Sequence, residues 1–497
     1  MEVRRMSISN DGRLEYSIPF EDQSPTAMLS LVDFLKKYYF TANEKYFSGP
    51  VGYSRPDRDV PVHVFSFSVK LDPGTPFTVT LSISANAATV SANNHAALSD
   101  KAAGQFGLLA EGIEVTIRTF LISARRTSAY FILSGRRGTG MELPAAQSER
   151  PGTSLLRRIM RGNAMNLFLF FLIVSFIFVI FLGDYALVAV IALQTVFLFF
   201  SDRVALAVGS IRPSKDNPDV MVISIQLTQE SAQLLRKERR WMLMTMRNRL
   251  QSAVFSGASE DSLRADVREM LGRRGIVASD SDIRFTLRHV YSIVESAAGK
   301  FHYPTPKVVI ANTPADNASA MGISPGLSTI TITAGALEDL DDDELESVVG
   351  HEVGHIKGRD PVLLFALTSI MYIGGFYFWI PLLLFLGFFY FILAFGIVFL
   401  FGKFLETRAD TESANCIGKP EKLASALTGI GFRQLYYERY STSTKVIDWL
   451  RFDPHPPTYF RVQRLYTIAS KHTRVRHTLL VSTRDCIAGF FRAIAGT

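Results

Sequence analysis

The sequence predicts an α+β multi-pass membrane protein. It should hold a soluble α+β domain, four transmembrane helices in two hairpins, and a mainly helical domain with a small β-sheet that the second hairpin divides. Three observations lead there. Of 497 residues, 48% are hydrophobic, and the mean hydropathy is +0.17, high for a chain that faces only water. The excess sits in two blocks, 167–200 and 362–402. The rest carries short alternating runs and amphipathic helical patterns. A disulfide framework is excluded by the presence of only two cysteines, Cys416 and Cys486. A net charge of +7 from 53 basic and 46 acidic residues is too slight for a nucleic-acid protein. With 12% aromatic and 20% charged residues the composition is not that of a disordered chain.

In chain order, the N-terminus MEVRRMSISNDGR is followed by no apolar core, so no cleaved signal peptide is expected. Residues 1–150 read as the soluble α+β domain. A helical stretch near 25–47 precedes two alternating runs, 63–71 and 75–84, with Asp72-Pro73-Gly74 between them. An apolar-rich stretch follows at 106–134. Residues 135–162, with their Gly, Arg and Pro, read as a linker. The block 151–210 then holds the first hairpin. Its one charge, Asp184 beside Gly183, divides it into spans at 167–182 and 185–201, each near the roughly 17–20 residues that cross a bilayer core.

Residues 226–256 and 259–300 are mostly helical by pattern, and 307–312 and 328–333 read as strands. The block 362–402 contains no charge, is about two spans long, and offers Gly374, Gly375 and Pro381 as places to turn. The helical domain is therefore expected as 211–361 and 403–470, and 471–497 as a basic amphipathic tail that either lies on a membrane or packs. Arg157, Arg158 and Arg161 precede the first pair of spans, Arg203 and Arg212 follow it, and Lys357, Arg359, Lys403 and Arg408 flank the second. The turns within the pairs hold no Lys or Arg. The positive-inside rule then puts the large segments, with residues 1–150, on the cytoplasmic side of a plasma or inner membrane.

One motif carries chemistry. His351-Glu352-Val353-Gly354-His355 is an H-E-x-x-H sequence. Asp341 and Glu344 form a capping-box pattern before it. Leu345, Val349, Val353 and Ile356 make a core-facing stripe. His351 and His355, one helical turn apart, can share a metal ion, and Glu352 beside them can take a proton from a water on it. Zinc fits nitrogen and oxygen donors with an open fourth position. Glu406 is the best candidate for a third ligand, and Asp410, one turn on, can orient a histidine. If His355 and Glu406 meet on one ion, block 362–402 must begin and end on one side of the membrane, as two crossings do.

These motifs resemble the HtpX-type membrane zinc endopeptidases, relatives of the CaaX prenyl proteases. The likeness extends over about 165–468. It includes Asn317-Ala318-Ser319-Ala320-Met321-Gly322, the strand 328–333, Leu340 to Asp360, Glu406-x-x-Ala-Asp410, and His455-Pro456-Pro457 with Arg461. Four spans favour the HtpX branch. The resemblance implies a gluzincin-type zincin catalytic domain, with His351, His355 and Glu406 on zinc and Glu352 as general base. Asn317 and Ala318 would hold substrate backbone. His455 and Arg461 would stabilise the oxyanion, the alternatives being a structural turn and a surface ion pair. Strand 328–333 is expected either as an edge to which an extended peptide adds or as a core strand. The implied activity is hydrolysis of membrane or misfolded polypeptides at the cytoplasmic face, in protein quality control. A prenyl protein protease and an inactive membrane chaperone are the rivals.

Overall fold

The computed structural model describes residues 6–8, 13–20, 25–41, 47–57, 60–69, 77–92, 100–127, 129–135, 173–175, 177–227, 231, 233–235, 239–382, 387–431, 434–435, 438, 442–471 and 474–495. The linker at 135–162 lies almost wholly outside them, as do the start of the first span and the Asp72-Pro73-Gly74 turn. The chain divides into two units, Met1–Ala129 with Ser224–Lys237 and Arg268–Arg284, and Tyr130–Ile223 with Glu238–Val267 and Phe285–Thr497.

The smaller unit is built on an antiparallel sheet of β1 (Met6–Ile8), β2 (Leu14–Pro19), β3 (Phe47–Asp57), β4 (Val60–Val69), β5 (Phe77–Ile83) and β6 (Ala87–Ala92). Their order is β1-β2-β6-β5-β4-β3. The alternation that marks 63–71 and 75–84 in the sequence corresponds to β4 and β5, paired from His63↔Ile83 to Val69↔Phe77. Period-2 burial along β5 turns Phe77, Val79, Leu81 and Ile83 to the core. There they meet Leu31 and Leu35 of α1 (Pro25–Leu35) and Phe106, Ile113 and Ile117 of α2 (Asp100–Thr127). The apolar stretch 106–134 is thus most of α2 followed by β7 (Ala129–Ser134).

The larger unit continues with α3 (Ala186–Val208), β8 (Val220–Ile225), α4 (Arg239–Phe255), α5 (Glu260–Gly272) and β9 (Ile283–Arg288). Strands β7, β8 and β9 form a three-stranded sheet in that order. The stretch 259–300 is mostly helix, as expected, and strand β9 interrupts it. Its residues IRFTLR alternate, and pairing with β8 outweighs the helical bias of the flanks. Helix α6 (Val290–Lys300) leads to β10 (Lys307–Ala311), β11 (Ala318–Gly322) and β12 (Ser328–Thr333). Here the structure decides between two expectations. The sheet order is β10-β12-β11, with β10 parallel and β11 antiparallel to β12. Strand 328–333 is therefore central, its backbone groups used on both sides, and β11 is the edge.

Short α7 (Ala334–Asp339) leads into α8 (Asp342–Gly358). The expected capping box is present: Asp341 accepts from the Glu344 N–H, and Glu344 accepts from the Asp341 N–H. Leu345, Val349, Val353 and Ile356 are all buried in the main core. A second face packs on α10 (Gly387–Ile417) through Gly350, Gly354 and Gly358, one turn apart. A Cβ at Gly350 would lie 2.5 Å from the Ile417 side chain, and one at Gly358 would lie 1.8 Å from the Arg408 guanidinium. Glycine at these positions leaves room for the Ile417 side chain and the Arg408 guanidinium.

The charge-free block is divided between α9 (Asp360–Leu382) and α10. The two pack together, and Tyr390 Oη donates to the Met371 carbonyl at 2.6 Å. Among the described residues, Ile173–Leu206 (34 residues) is the one helix long and apolar enough to cross a membrane, and Asp360–Gly375 is a shorter apolar helix. A 3-10 turn at Gly183–Tyr185, with Gly183 at φ +54, interrupts the long one. One such helix and one shorter apolar helix do not establish the four spans expected. Helices α11 (Pro420–Ile430), α12 (Thr442–Leu450), α13 (Thr458–Lys471) and α14 (Thr478–Ala495) complete the unit.

Candidate metal centre

Helices α8 and α10 bring His351, His355 and Glu406 together. One donor atom from each lies within 4.8 Å of the others. The two Nε2 atoms are 3.1 Å apart. His351 Nε2 is 3.4 Å from Glu406 Oε2, and His355 Nε2 is 3.3 Å from Glu406 Oε1. Donors held tetrahedrally at the ~2.0–2.1 Å of zinc–nitrogen and zinc–oxygen bonds would be about 3.3 Å apart, so the triangle has the size of a zinc site.

The surroundings of the two imidazoles support the same fit. His351 Nδ1 lies 2.9 Å from Asp410 Oδ1, and His355 Nδ1 lies 2.6 Å from Asp360 Oδ2. A carboxylate can only accept, so at His355 the Nδ1 is the N–H and Nε2 is free for a cation; His351 Nδ1 faces Asp410 at ion-pair distance, outside hydrogen-bonding geometry. Two imidazole Nε2 atoms facing each other, with the buried Glu406 Oε2 lacking a hydrogen-bond partner among the described residues, form a nest for a cation.

Each carboxylate is itself held. Asp410 receives two bonds from Arg461, Nε and Nη2, both at 2.8 Å. Asp360 receives Arg408 Nη2 at 2.8 Å, and the same nitrogen reaches the Gly354 carbonyl at 3.1 Å. Arg408 and Arg461 are both buried, so these charge-assisted pairs are sheltered from water.

Burial dominates the electrostatics but does not decide its signs. It would lower the His351 pKa, yet Asp410 and Glu406 raise it above the ordinary value. His355, likewise opposed by burial, is held well above by Glu406 and Asp360. Burial would raise Glu406, but His455 and His355 bring it well below the usual carboxylate range. Asp410 is also depressed: burial would raise it, but Arg461 and His351 together outweigh that. Glu406 and Asp410 are therefore kept ionised.

Glu352 is buried one residue from His351, and its charge raises both His355 and Arg461. His455 stands at the rim with a 56% exposed side chain, its Nε2 3.6 Å from Glu406 Oε1 and its Nδ1 2.8 Å from Asp453 Oδ1. Arg461 is placed differently from the sequence expectation. Its fork is committed to Asp410, and only Nη1 approaches Glu406, at 3.7 Å. It stands behind a histidine rather than in the open site. Asn317 precedes the edge strand β11, its N–H donating to Thr333 Oγ1 at 2.9 Å and its carbonyl accepting from the same hydroxyl. Ala318, half-buried, begins β11.

The sequence reading missed Asp360 as a histidine partner, although it is the last charge before the charge-free block. Its position depends on Arg359, whose left-handed φ of 56° ends α8 and returns the chain toward His355. Lys403 and Arg408, counted as flanking charges for topology, are buried. Lys403 Nζ donates to the Arg451 carbonyl at 3.0 Å and to that of Asp453, which fixes the loop that carries His455. Cys416 is half-buried and outside the metal nest.

Two expected outcomes arise here. Asp360→Asn should weaken metal binding by about 10–100-fold, the usual cost of losing an outer partner of a ligating histidine; a competition titration against a chelator measures it, and unchanged affinity would contradict the assignment. The second concerns Glu438, which accepts the Thr458 and Tyr459 N–H groups at the start of α13, the helix of Arg461. Burial, opposed by those bonds and joined by Asp448, pushes its carboxyl up to about 7. A carboxyl raised above its unfolded value of about 4.3 takes up a proton on folding. Its contribution is thus fully present below about pH 4 and is lost as pH rises to about 7, a change of about 4 kcal/mol. Thermal unfolding from pH 5 to 8 should show wild type losing stability relative to Glu438→Gln; parallel curves would refute this.

Comparison with known proteins agrees with the site. A family model described as Peptidase family M48 matches residues 286–469. A protein named Protease HtpX homolog from Pyrococcus abyssi is 33% identical over 211 residues, 36% of this chain and 73% of that protein. One of the same name from Thermococcus sibiricus is 32% identical over 216 residues, again 36% and 73%. A third, from Moorella thermoacetica, is 30% identical over 161 residues, 28% of this chain and 54% of the relative, so the match spans about half of that protein's length.

Proposed function

The chain belongs to peptidase family M48, and from that premise we propose that it is a membrane-embedded, zinc-dependent endopeptidase. In this reading it cleaves membrane or misfolded proteins at the cytoplasmic face of a cell membrane, in protein quality control. The observation that carries the reading is the nest of His351, His355 and Glu406, with His355 Nδ1 hydrogen-bonded to Asp360 and Asp410 2.9 Å from His351 Nδ1. A zinc ion bound there would polarise the scissile carbonyl and acidify a water.

The chain's own residues do the rest. Glu352 accepts a proton from the attacking water and returns it to the leaving amine. The edge of β11, preceded by Asn317 and begun by Ala318, pairs with the main chain of an extended substrate. Such pairing reads little sequence, which suits varied unfolded clients. His455, exposed beside Glu406, donates toward the developing oxyanion. Arg461 acts through Asp410 and orients His351.

Support for the membrane setting is the apolar surface of the helices. Phe181, Val188, Ile370, Phe389 and Leu393 are all exposed. Gly183–Tyr185 offers a break between two spans, and Ser175 in the first half lies 3.5 Å from the Tyr372 hydroxyl of α9, against which α3 in the second half also packs. The lipid bilayer and polypeptide substrates are the partners this implies.

The test is cleavage by the full chain in lipid nanodiscs, before and after chelation. An unfolded membrane protein and casein should be cut, chelation should stop it, and zinc should restore it. Cutting confined to a farnesylated peptide would make the chain a prenyl protease instead. No cutting of any substrate by zinc-loaded protein would leave a chaperone.

A further inference from the structure

Helix α14 contributes nothing to the metal nest, yet it packs along α10 in a defined register. Thr411 Oγ1 and Ser482 Oγ are 3.1 Å apart, Thr407 Oγ1 and Cys486 Sγ 2.9 Å, and Cys486 Sγ lies 3.7 Å from the Lys403 carbonyl. Four residues forward on α14 match four back on α10, so the helices are antiparallel and each further turn of α14 climbs α10 by one turn. Its last turns therefore reach the end of the apolar block 362–402, and Ala493 packs in one cluster with Phe404.

The buried face of α14 is Ser482, Cys486, Gly489 and Ala493. Leu480, Ile487, Phe491 and Ile494 are exposed, Leu480 by 71% and Phe491 by 63%. Their spacings of seven, four and three put them on a single stripe, where a water-facing helix would carry polar residues. Helix α12 packs on α14, with Trp449 and Phe490 ring centroids 6.2 Å apart. At the end of α12, Leu450 and Phe452 are exposed too. Phe452 also touches Phe395 and Phe399 of the apolar block, at 6.2 and 5.9 Å. The stripe is thus continuous with the candidate lipid-facing surface. Arg474, Arg476, Arg484 and Arg492 accompany it, with Asp485 as the one acid in 474–495.

We infer that α14, with the tip of α12, is an in-plane membrane-docking surface whose occupant is the surface of an anionic bilayer. A basic helix with one apolar face buried at the headgroup boundary is the physical pattern. The inference rests on the membrane-embedded reading above. Docking would seat the loop Arg451–His455, held by Lys403, at the lipid surface. A substrate segment leaving the bilayer would then meet the site at its His455 rim.

The test uses the full chain in nanodiscs containing phosphatidylglycerol, with Cys416→Ser and the buried Cys486 retained. An environment-sensitive fluorophore is placed singly at Leu480→Cys, Phe491→Cys, Leu393→Cys in the apolar block, and Val277→Cys, which is 89% exposed. The labels at 480 and 491 should emit to the blue of the label at 277 and be quenched by a lipid-borne nitroxide, as the label at 393 is. Water-exposed labels at 480 and 491 beside a quenched 393 would overturn the docking surface and leave the membrane reading standing. A water-exposed label at 393 as well would overturn both. Labels at 480 and 491 that are dry but unquenched would mean that a second protein copy covers the helix, and would overturn the lipid assignment.

Discussion

Glu352→Gln should keep its zinc and lose at least about 10²–10⁴-fold in kcat/KM, the range set by removing a general base. This corresponds to about 3–5 kcal/mol of barrier. Glutamine fills the same buried volume on α8 and leaves all three nest donors in place, but its amide cannot take a proton from water at neutral pH. Glu352 is not among the atoms that define the nest, so zinc content and thermal stability should stay near wild type. The comparison is made on one unfolded substrate with zinc measured in the same samples. Equal cleavage by both proteins would sink the proton-transfer role, whatever becomes of the metal assignment.

Glu406→Ala should abolish tight zinc binding. It removes the one anionic donor and leaves two histidine nitrogens, a site short of the three protein ligands of a catalytic zinc. It also removes a charge that faces several cations or proton acceptors at once. Glu406 lies near His455 and Arg461 Nη1 as well as both ligating histidines. It is the leading favourable influence on His355, which burial alone would depress. The apo form of the variant should therefore show His355 titrating lower than in wild-type apoprotein. Zinc affinity is read by competition with a chromophoric chelator, and a wild-type affinity in Glu406→Ala would remove it from the ligand set.

Much of the centre was legible because local rules govern it. The capping box at Asp341 and Glu344 and the buried stripe from Leu345 to Ile356 fix α8, and a four-residue spacing on any helix places His351 over His355. Glu406 and Asp410 are one turn apart on a helix that the charge-free block leads into. What was not legible depends on pairing between distant segments. Whether 328–333 or 318–322 is the sheet edge is decided by which strand β10 chooses, and both runs have strand-like residues. The role of Asp360 needs the left-handed turn at Arg359 and a guanidinium 48 residues away. Lys403 and Arg408 read as surface charges because most lysines and arginines are exposed, yet both are buried against carbonyls or a carboxylate. In the smaller unit β4 and β5 announce themselves by alternation, while β1 and β6 are too short or too rich in small residues to do so.

The claim on which the rest depends is that His351, His355 and Glu406 together hold zinc. Zinc K-edge absorption of the purified full chain tests it most directly. The spectrum should show only nitrogen and oxygen neighbours at about 2.0–2.1 Å, with two imidazoles among them. It should be unchanged in Glu352→Gln and altered or lost in Glu406→Ala. Sulfur at about 2.3 Å, or a wild-type spectrum in Glu406→Ala, would contradict the account.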